Sequence, residues 1–571
     1  NTSLASIRGE ADNAVVWKET EILPDAEVAV EAVAAPTTFS PAFSLDEPLT
    51  INNGRLHVNA SSTSEAVRLT APMALSNEAL LEVSGITESM EVVPIAVQIR
   101  GLTTVRNSSV LIVNPGIAQD SFPGLRTVGL QSPSITADAN SSIVINAVAD
   151  TTSPLFITGE NTFTTLTNVE LNARMKTLSN GNNRGIFFVF NMINPHVRLV
   201  ESSFSIEIAA GGSDSFFLVT SPSISLTMIS SQVTLVADGT ELDSFKLFEG
   251  PLHMVDSSID ANVSSARDRS TGFLFTNSTI EDSEIEIVMD CQAGTCFNVG
   301  ASDLTGTGSA TITSTITGLC PGGVCFGFSS ISSGTNISGT SDFDLAVTAS
   351  VPDCPNCAGI IFGSTASLTN ITNMSFTGSG RTGVDLGGAV INAENIQLFG
   401  SSPFAATTGY GVDLGGRRII KKKMTVSGSS VNEFDIHMDD LTLDFTDRNI
   451  TIPECGITFE ATNNENINVN FNEAGTDMGE CSVVFNGYAN GLQGGLSLDS
   501  PLVVFSSGVS SDNETGIRVT GDLELAGSLC GTFEAASILL ASASIDSCLL
   551  GGQDRSILDL IALSGSITIL S

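Results

Sequence analysis

The sequence predicts an all-β protein, a single-stranded parallel β-helix (solenoid) of about 16 rungs, with about three short strands per rung and almost no helix. Three observations lead there. The 571-residue chain is rich in Ser, Thr, Gly, Val and Ile, has 30 Phe against one Trp and two Tyr, and is only 15% charged. Long amphipathic helices need more Glu, Lys, Arg and Leu than this, whereas short strands and tight turns use these residues. The hexapeptide GVDLGG occurs at 383–388 and again at 411–416. Around those copies an apolar-x-apolar triplet recurs through most of the chain at similar spacing, with a single long interval between Val412 and Ile457.

The triplets begin at Phe43, Val67, Val97, Val128, Leu155, Ile186, Phe216, Phe245, Phe273, Phe297, Phe326, Ile360, Val384, Val412, Ile457, Val483 and Ile517. Between them the pattern is again strand-like. In GFLFTNSTIEDSEIEIVMD, the FLF and EIEIVMD segments alternate apolar and polar residues, and STIEDS carries a short middle strand. A unit of three strands cannot bury its apolar face alone, so it must stack on its neighbours. Tandem β-sandwiches would instead need units of roughly 80 to 100 residues, each with a central Trp. The expected organisation is an N-terminal arm or cap at 1–36, holding the single Trp17 and ending at Pro36, then a parallel β-helix at 37–550. An enlarged rung is expected at about 412–456, and residues 551–571 form a C-terminal strand segment.

GGAVI at 387–391 and FTN at 275–277 resemble, in single copies, the GGA[ILV] and FxxN repeats of the polymorphic outer-membrane proteins, FTN being one residue short of that spacing. With the periodicity over 37–550, the sequence resembles the right-handed parallel β-helix (pectin-lyase-like) superfamily, also used by bacterial adhesins and phage tailspikes. That resemblance implies a fold and carries no catalytic residues with it.

A formal charge of −39 and a pI near 4.1 exclude nucleic acid as an expected partner, because most of the surface would repel phosphate. No apolar stretch is long enough to span a bilayer, so no direct membrane insertion is expected. The start at Asn1, without Met or an apolar leader, reads as a processed or trimmed N-terminus, and an artificial boundary would look the same. Ten cysteines fall in local pairs, Cys291 with Cys296, Cys320 with Cys325 and Cys354 with Cys357, and in wider pairs, Cys455 with Cys481 and Cys530 with Cys548. Neither a zinc module nor a redox helix surrounds them, which favours structural disulfides and an extracellular or cell-surface location by the secretory pathway. Cys296 and Cys325 precede equivalent Phe residues, so each local pair can close its own turn or the pairs can bridge up the stack. For Cys455 and Cys481 the rung-to-rung bridge is preferred. Sequons at Asn1, Asn59, Asn107, Asn140, Asn262, Asn277, Asn336, Asn370, Asn373, Asn449 and Asn513 are compatible with glycosylation.

An acid-polysaccharide-cleaving enzyme would need clustered Asp with Arg or Lys for substrate carboxylates. The best candidate is FDIHMDDLTLDFTDR, with Asp435, His437, Asp439, Asp440, Asp444, Asp447 and Arg448, but its alternation reads equally as strands with an acidic outer face. His57, His196 and His253 have no acid or nucleophile context in the sequence, and no phosphate-binding loop or metalloprotease motif occurs. No cofactor or metal is expected. The favoured reading is an extracellular structural protein, the self-assembling subunit of a filament, surface appendage or coat, whose partners are other copies of itself. Its apolar C-terminal segment SILDLIALSGSITILS and its N-terminal arm suggest head-to-tail stacking or strand addition. A monomeric surface adhesin and a polysaccharide lyase or glycoside hydrolase are the alternatives.

One short run departs from the acidic background. Arg417, Arg418, Lys421, Lys422 and Lys423 place five of the 23 basic residues within seven positions. Aligning the two GVDLGG copies sets Met424 over Ile396 and Val426 over Leu398 and leaves the lysines on the preceding turn. The acidic stretch 435–447 follows, which fits either a charge match between neighbouring rungs or docking on the acidic side of another copy. If docking holds, reversing Lys421, Lys422 and Lys423 to Glu weakens assembly and flattens its salt dependence in light scattering. Unchanged assembly refutes it.

Overall fold

A computed structural model describes residues 4–570 apart from 88–94, 118–129, 178–186, 189–195, 404–410, 444–455 and shorter stretches of six residues or fewer, some strand residues by backbone alone. The described residues form strands, turns and bends with no helix. The chain divides into two compact units, Asn1–Cys296 and Phe297–Ser571.

In the first unit three parallel ladders run side by side. One passes from Leu4–Ala11 to Glu27–Ala34, Arg55–Ser62, Leu80–Thr87 and Val110–Ile117, and on to Ser258–Ala266 and Ser278–Cys291. A second passes from Glu21–Ile22 through Leu49–Asn52, Met73–Ser76 and Thr103–Val105 to Leu252–Val255. The third is built in separate stretches: Val15–Trp17, Phe43–Leu45, Glu65–Leu69 and Ile95–Ile99 form a four-stranded sheet of their own, and later Lys246–Gly250 pairs with Ser270–Phe275 within the main sheet. Period-two alternation decides which side of each strand is inside. Arg55–Ser62 buries Leu56, Val58, Ala60 and Ser62 and turns the residues between them outward. In-register pairing then stacks like on like: Leu56 lies opposite Leu81, which lies opposite Leu111. Each such fully buried aliphatic side chain contributes about 1.5–3 kcal/mol. Phe248 stacks on Phe273 in the same way, with ring centroids 5.9 Å apart.

Where one strand bends into the next, one residue adopts positive φ, or two in succession at Asn77–Glu78 and Asn107–Ser108. Of the fifteen such non-glycine residues described, eleven are Asn or Asp, the types whose short polar side chains tolerate the left-handed region best. Asn53, Asn140, Asn168, Asp256 and Asp282 are examples, all exposed. In Ser278–Cys291 this bend appears as two consecutive exposed residues, Glu281 and Asp282, after which alternation resumes. The acidic and amide residues that look like surface decoration are therefore conformational parts.

The second unit repeats the scheme. Asp303–Thr317 pairs with both Asn336–Gly339 and Asp344–Ser350, followed by Ser367–Ser379, Val390–Ser402, Lys423–Ser430, Gly456–Ala461 and Ser482–Asn486, all parallel. Among the described residues one pairing is antiparallel, Cys548–Leu550 with Gln553–Arg555. Glycines here make room. Gly306 pairs with Gly339, and a Cβ at either would collide with Phe343, which is wholly buried. The duplicated GVDLGG has a similar basis. A Cβ on Gly378 would overlap the carbonyl oxygen of Gly383, and a Cβ on Gly400 that of Gly411, the same contact one repeat later.

Three expectations change. Within the segment 1–36 expected as an arm or cap, two strands join the ladder: Leu4–Ala11, Glu27–Ala34 and Arg55–Ser62 pair in continuous register, because AEVAVEAV alternates like any later strand. The described strands of the interval expected as an enlarged rung at about 412–456 belong to more than one ladder. Val412 pairs with Ile436, a step like the others in the series, and Ile457 belongs to a different ladder, opposite Met424. The long interval arose from comparing triplets on two ladders, since both faces carry the same residue types. Third, of the lysines expected on a turn, Lys423 opens a strand opposite Asn395, while Lys421 and Lys422 lie outside the described residues. Met424 does face Ile396, and Val426 faces Leu398, as the repeat alignment predicts.

Because the neighbour of Gly400 is main chain, it cannot yield by changing rotamer. Gly400→Ala should cost on the order of 1–3 kcal/mol, read as a lower denaturant midpoint, while Ser401→Ala on the outward side should stay within about 0.5 kcal/mol.

Candidate functional site

The outward faces are the most extensive chemical feature. In the second unit Ser309, Thr311, Thr313 and Thr315 stand in register with Asp344, Ala346, Thr348 and Ser350, and these with Asn373, Ser375, Thr377 and Ser379. The residues between them, such as Ile312, Val347 and Phe376, are buried. Parallel pairing spaces the rows by about 4.7–4.9 Å, so hydroxyls and amides form a regular array. Such a surface donates and accepts hydrogen bonds along its length, which suits water, glycans or another polar face.

The candidate glycosylation residues lie on this exterior. Asn59, Asn107, Asn140, Asn262, Asn277, Asn336, Asn370 and Asn373 are all exposed; Asn1, Asn449 and Asn513 lie outside the described residues. Asn107, Asn140, Asn277 and Asn370 are positive-φ corner residues. Some of these amides already join neighbouring repeats: Asn107 donates to Asn77 at 3.1 Å, and Asn373 donates to Asp344 at 2.6 Å.

The structure joins Cys291 to Cys296 and Cys354 to Cys357, with Cα separations of 6.4 and 5.3 Å. Both fit an oxidising environment. Cys325 is buried, and its sulfur lies within 4.8 Å of those of Cys354 and Cys357. The expected equivalence of the two Cys-Phe steps holds in the backbone, since Phe297 pairs with Phe326. Cys320, Cys455 and Cys481 lie outside the described residues, although the residues after the last two, Gly456 and Ser482, are directly paired. Cys530 and Cys548 occupy the strands Asp522–Ala535 and Cys548–Leu550.

Among the other candidates, Trp17 ends a strand with its backbone opposite Leu45. Arg417, Lys421 and Lys422 lie outside the described residues, as do Asp435, Asp440, Asp444, Asp447 and Arg448. His437 and Asp439 lie in Ile436–Asp439, with His437 opposite Asp413. His196 opens the strand His196–Val200. His253 meets the hydroxyl of Thr279 on the adjacent strand. His57 does have an acidic setting: its Nδ1 lies 2.9 Å from Glu82 Oε2, and its Nε2 lies 4.0 Å from Glu27 Oε1. Glu27 and Glu82 belong to the strands on either side, so the pairing emerges only from the ladder register. Half-exposed, such a pair is worth about 0–1 kcal/mol.

Sequence reasoning missed a ladder of buried serines. Directly after successive corner residues stand Ser202, Ser231, Ser257 and Ser283, each at most 7% exposed. The hydroxyl of Ser231 donates to the Ile229 carbonyl at 2.8 Å and accepts the backbone N–H of Ser202 at 3.1 Å. Ser257 does the same for Val255 and Ser231, and Ser283 for Glu281 and Ser257. A buried N–H without an acceptor costs about 1–3 kcal/mol, and the corner removes these N–H groups from the strand ladders. The signal was present as ESSF, SSQV, DSSI and DSEI, beginning at 201, 230, 256 and 282.

Comparison of the chain with models of known families, with curated proteins and with solved structures found no match. No described helix is long and apolar enough to cross a membrane.

Ser231→Ala should destabilise by about 1–3 kcal/mol and speed hydrogen exchange at the Ser202 amide, whereas Ser203→Ala on the exposed side should change neither. Denaturant titration with amide exchange reads both.

Proposed function

We propose that the chain is a parallel β-helix acting as an extracellular structural protein, a self-assembling subunit of a filament, surface appendage or coat. The three parallel ladders support the coil: strands return to the same ladder at the recurring interval of the sequence pattern, as successive rungs of one winding chain would. Disulfides and the exposed sequons support secretion.

The observation that carries assembly is an open core column. Leu523 and Leu525 pair with Ile538 and Leu540, which pair with Ile567 and Ile569. The first four are at most 6% exposed, but Ile567 is 42% exposed and Ile569 72%. Among the described residues Ile567–Leu570 pairs with Ser537–Ile545 alone, and beside it Ile561 and Leu563 are exposed as well. An apolar edge without Lys, Pro or a bulge is a template for a further parallel strand. The assembly reading takes that strand from a second copy.

A second reading, a monomeric surface adhesin, draws on the outward array of hydroxyls and amides. Light scattering after size exclusion, with negative-stain imaging, separates the two. Assembly predicts concentration-dependent oligomers that Ile567→Lys with Ile569→Lys reduces to monomers of unchanged circular dichroism. Compact monomers of the unaltered chain at high concentration would sink the assembly reading, and cleavage of acidic or neutral polysaccharides would replace both readings with an enzyme.

A further inference from the structure

The CPNC turn closes the Cys354–Cys357 bridge, and a third sulfur lies against it. Phe326–Ser330 pairs in parallel with Ala358–Phe362, with Phe326 opposite Ala358. Cys325 and Cys357, the residues just before them, therefore occupy the same position in neighbouring repeats. Their main chains agree: the Ala358 N–H donates to the Cys325 carbonyl at 3.0 Å, and the Cys325 N–H donates to Cys357 Sγ at 3.0 Å. All three cysteines are wholly buried, with their sulfurs within 4.8 Å of one another.

Disulfides form across Cα separations of about 4.4–6.8 Å, and paired parallel strands lie about 4.7–4.9 Å apart. Cys357 thus has one bridging partner along the chain and another across the ladder. We propose that Cys357 is a branch point for disulfide formation, able to close either the local bridge to Cys354 or a cross-repeat bridge to Cys325. The cross-repeat bridge is a covalent staple between two repeats, closing a loop of sequence separation 32 where the local bridge closes one of 3. A longer closed loop restricts the unfolded chain more and so stabilises more.

The chemistry balances with a small-molecule disulfide such as oxidised glutathione. In the reduced protein the Cys357 thiolate attacks that disulfide, forming a mixed disulfide and releasing one glutathione thiolate. The Cys325 thiolate then attacks Cys357 Sγ, forming the Cys325–Cys357 bond and releasing the second glutathione. Two protein thiols are oxidised, one glutathione disulfide is reduced, and Cys354 remains a thiol. The route starts from the fully reduced chain, so it does not depend on how Cys325 is engaged beforehand.

The test reduces the full-length protein, reoxidises it with a glutathione couple, alkylates it and maps the bridges by mass spectrometry without reduction. Wild type should yield both the Cys354–Cys357 peptide and a Cys325–Cys357 cross-linked peptide. Cys354→Ser should yield the cross-linked peptide alone, with a higher thermal midpoint than the same variant kept reduced. Cys325→Ser should yield only the local bridge, which keeps the test valid if Cys354→Ser folds poorly. Cys325 Sγ also lies within 4.8 Å of the sulfurs of Cys291 and Cys296, so the proposal is overturned if Cys325 pairs only with Cys291, Cys296 or Cys320, if Cys357 in Cys354→Ser stays alkylated or glutathionylated, or if wild type yields the local bridge alone.

Discussion

In-register parallel pairing is the constraint on which the rest depends. A parallel strand has no hairpin partner, so its backbone groups can be satisfied only by the strands that precede and follow it on the same ladder. Register then transmits every side-chain choice to the neighbours. A leucine placed inward meets a leucine, a glycine meets a glycine, and a corner residue meets another corner residue. Leu56, Leu81 and Leu111 show this in the core, and Gly378 and Gly400 show it where the main chains crowd.

The corners are where that constraint is hardest to satisfy. A residue at positive φ turns its neighbours' N–H groups out of the strand ladder, and the buried ones need another acceptor. The hydroxyls of Ser231, Ser257 and Ser283 each serve the amide of the preceding corner. Serine is short enough to sit inside the bend and bond its own i−2 carbonyl as well. The polar content of this chain is thus divided between an outer surface that meets water and a thin inner line that replaces it.

The same constraint explains why an edge matters. Inside a ladder each apolar column is covered by the next strand, and at Ile567 and Ile569 the column continues without cover among the described residues. Cross-repeat chemistry follows from register too, since Cys325 and Cys357 meet because Phe326 faces Ala358. The proposed assembly and the proposed cross-link both rest on a single geometric fact, that positions paired on a ladder are neighbours in space.

Much of this was legible in the residues and some was not. Alternation marked the strands, few helix formers and a recurring triplet marked an all-β repeat, and aligning two GVDLGG copies placed Met424 on Ile396 correctly. The short ESSF-type motifs held the serine ladder but showed no purpose, because a hydroxyl's value depends on an amide one repeat away. Triplets on different ladders looked alike, which produced the expected enlarged rung at 412–456. Residues 1–36 read as an arm or cap because they fell outside the triplet series. Local alternation is set by which side chains leave water, and the sequence alone determined it. Which strand pairs with which, and hence that His57 meets Glu82 and Cys325 meets Cys357, was decided only by tertiary structure, because backbone hydrogen bonds are blind to residue type and register emerges from the whole stack at once.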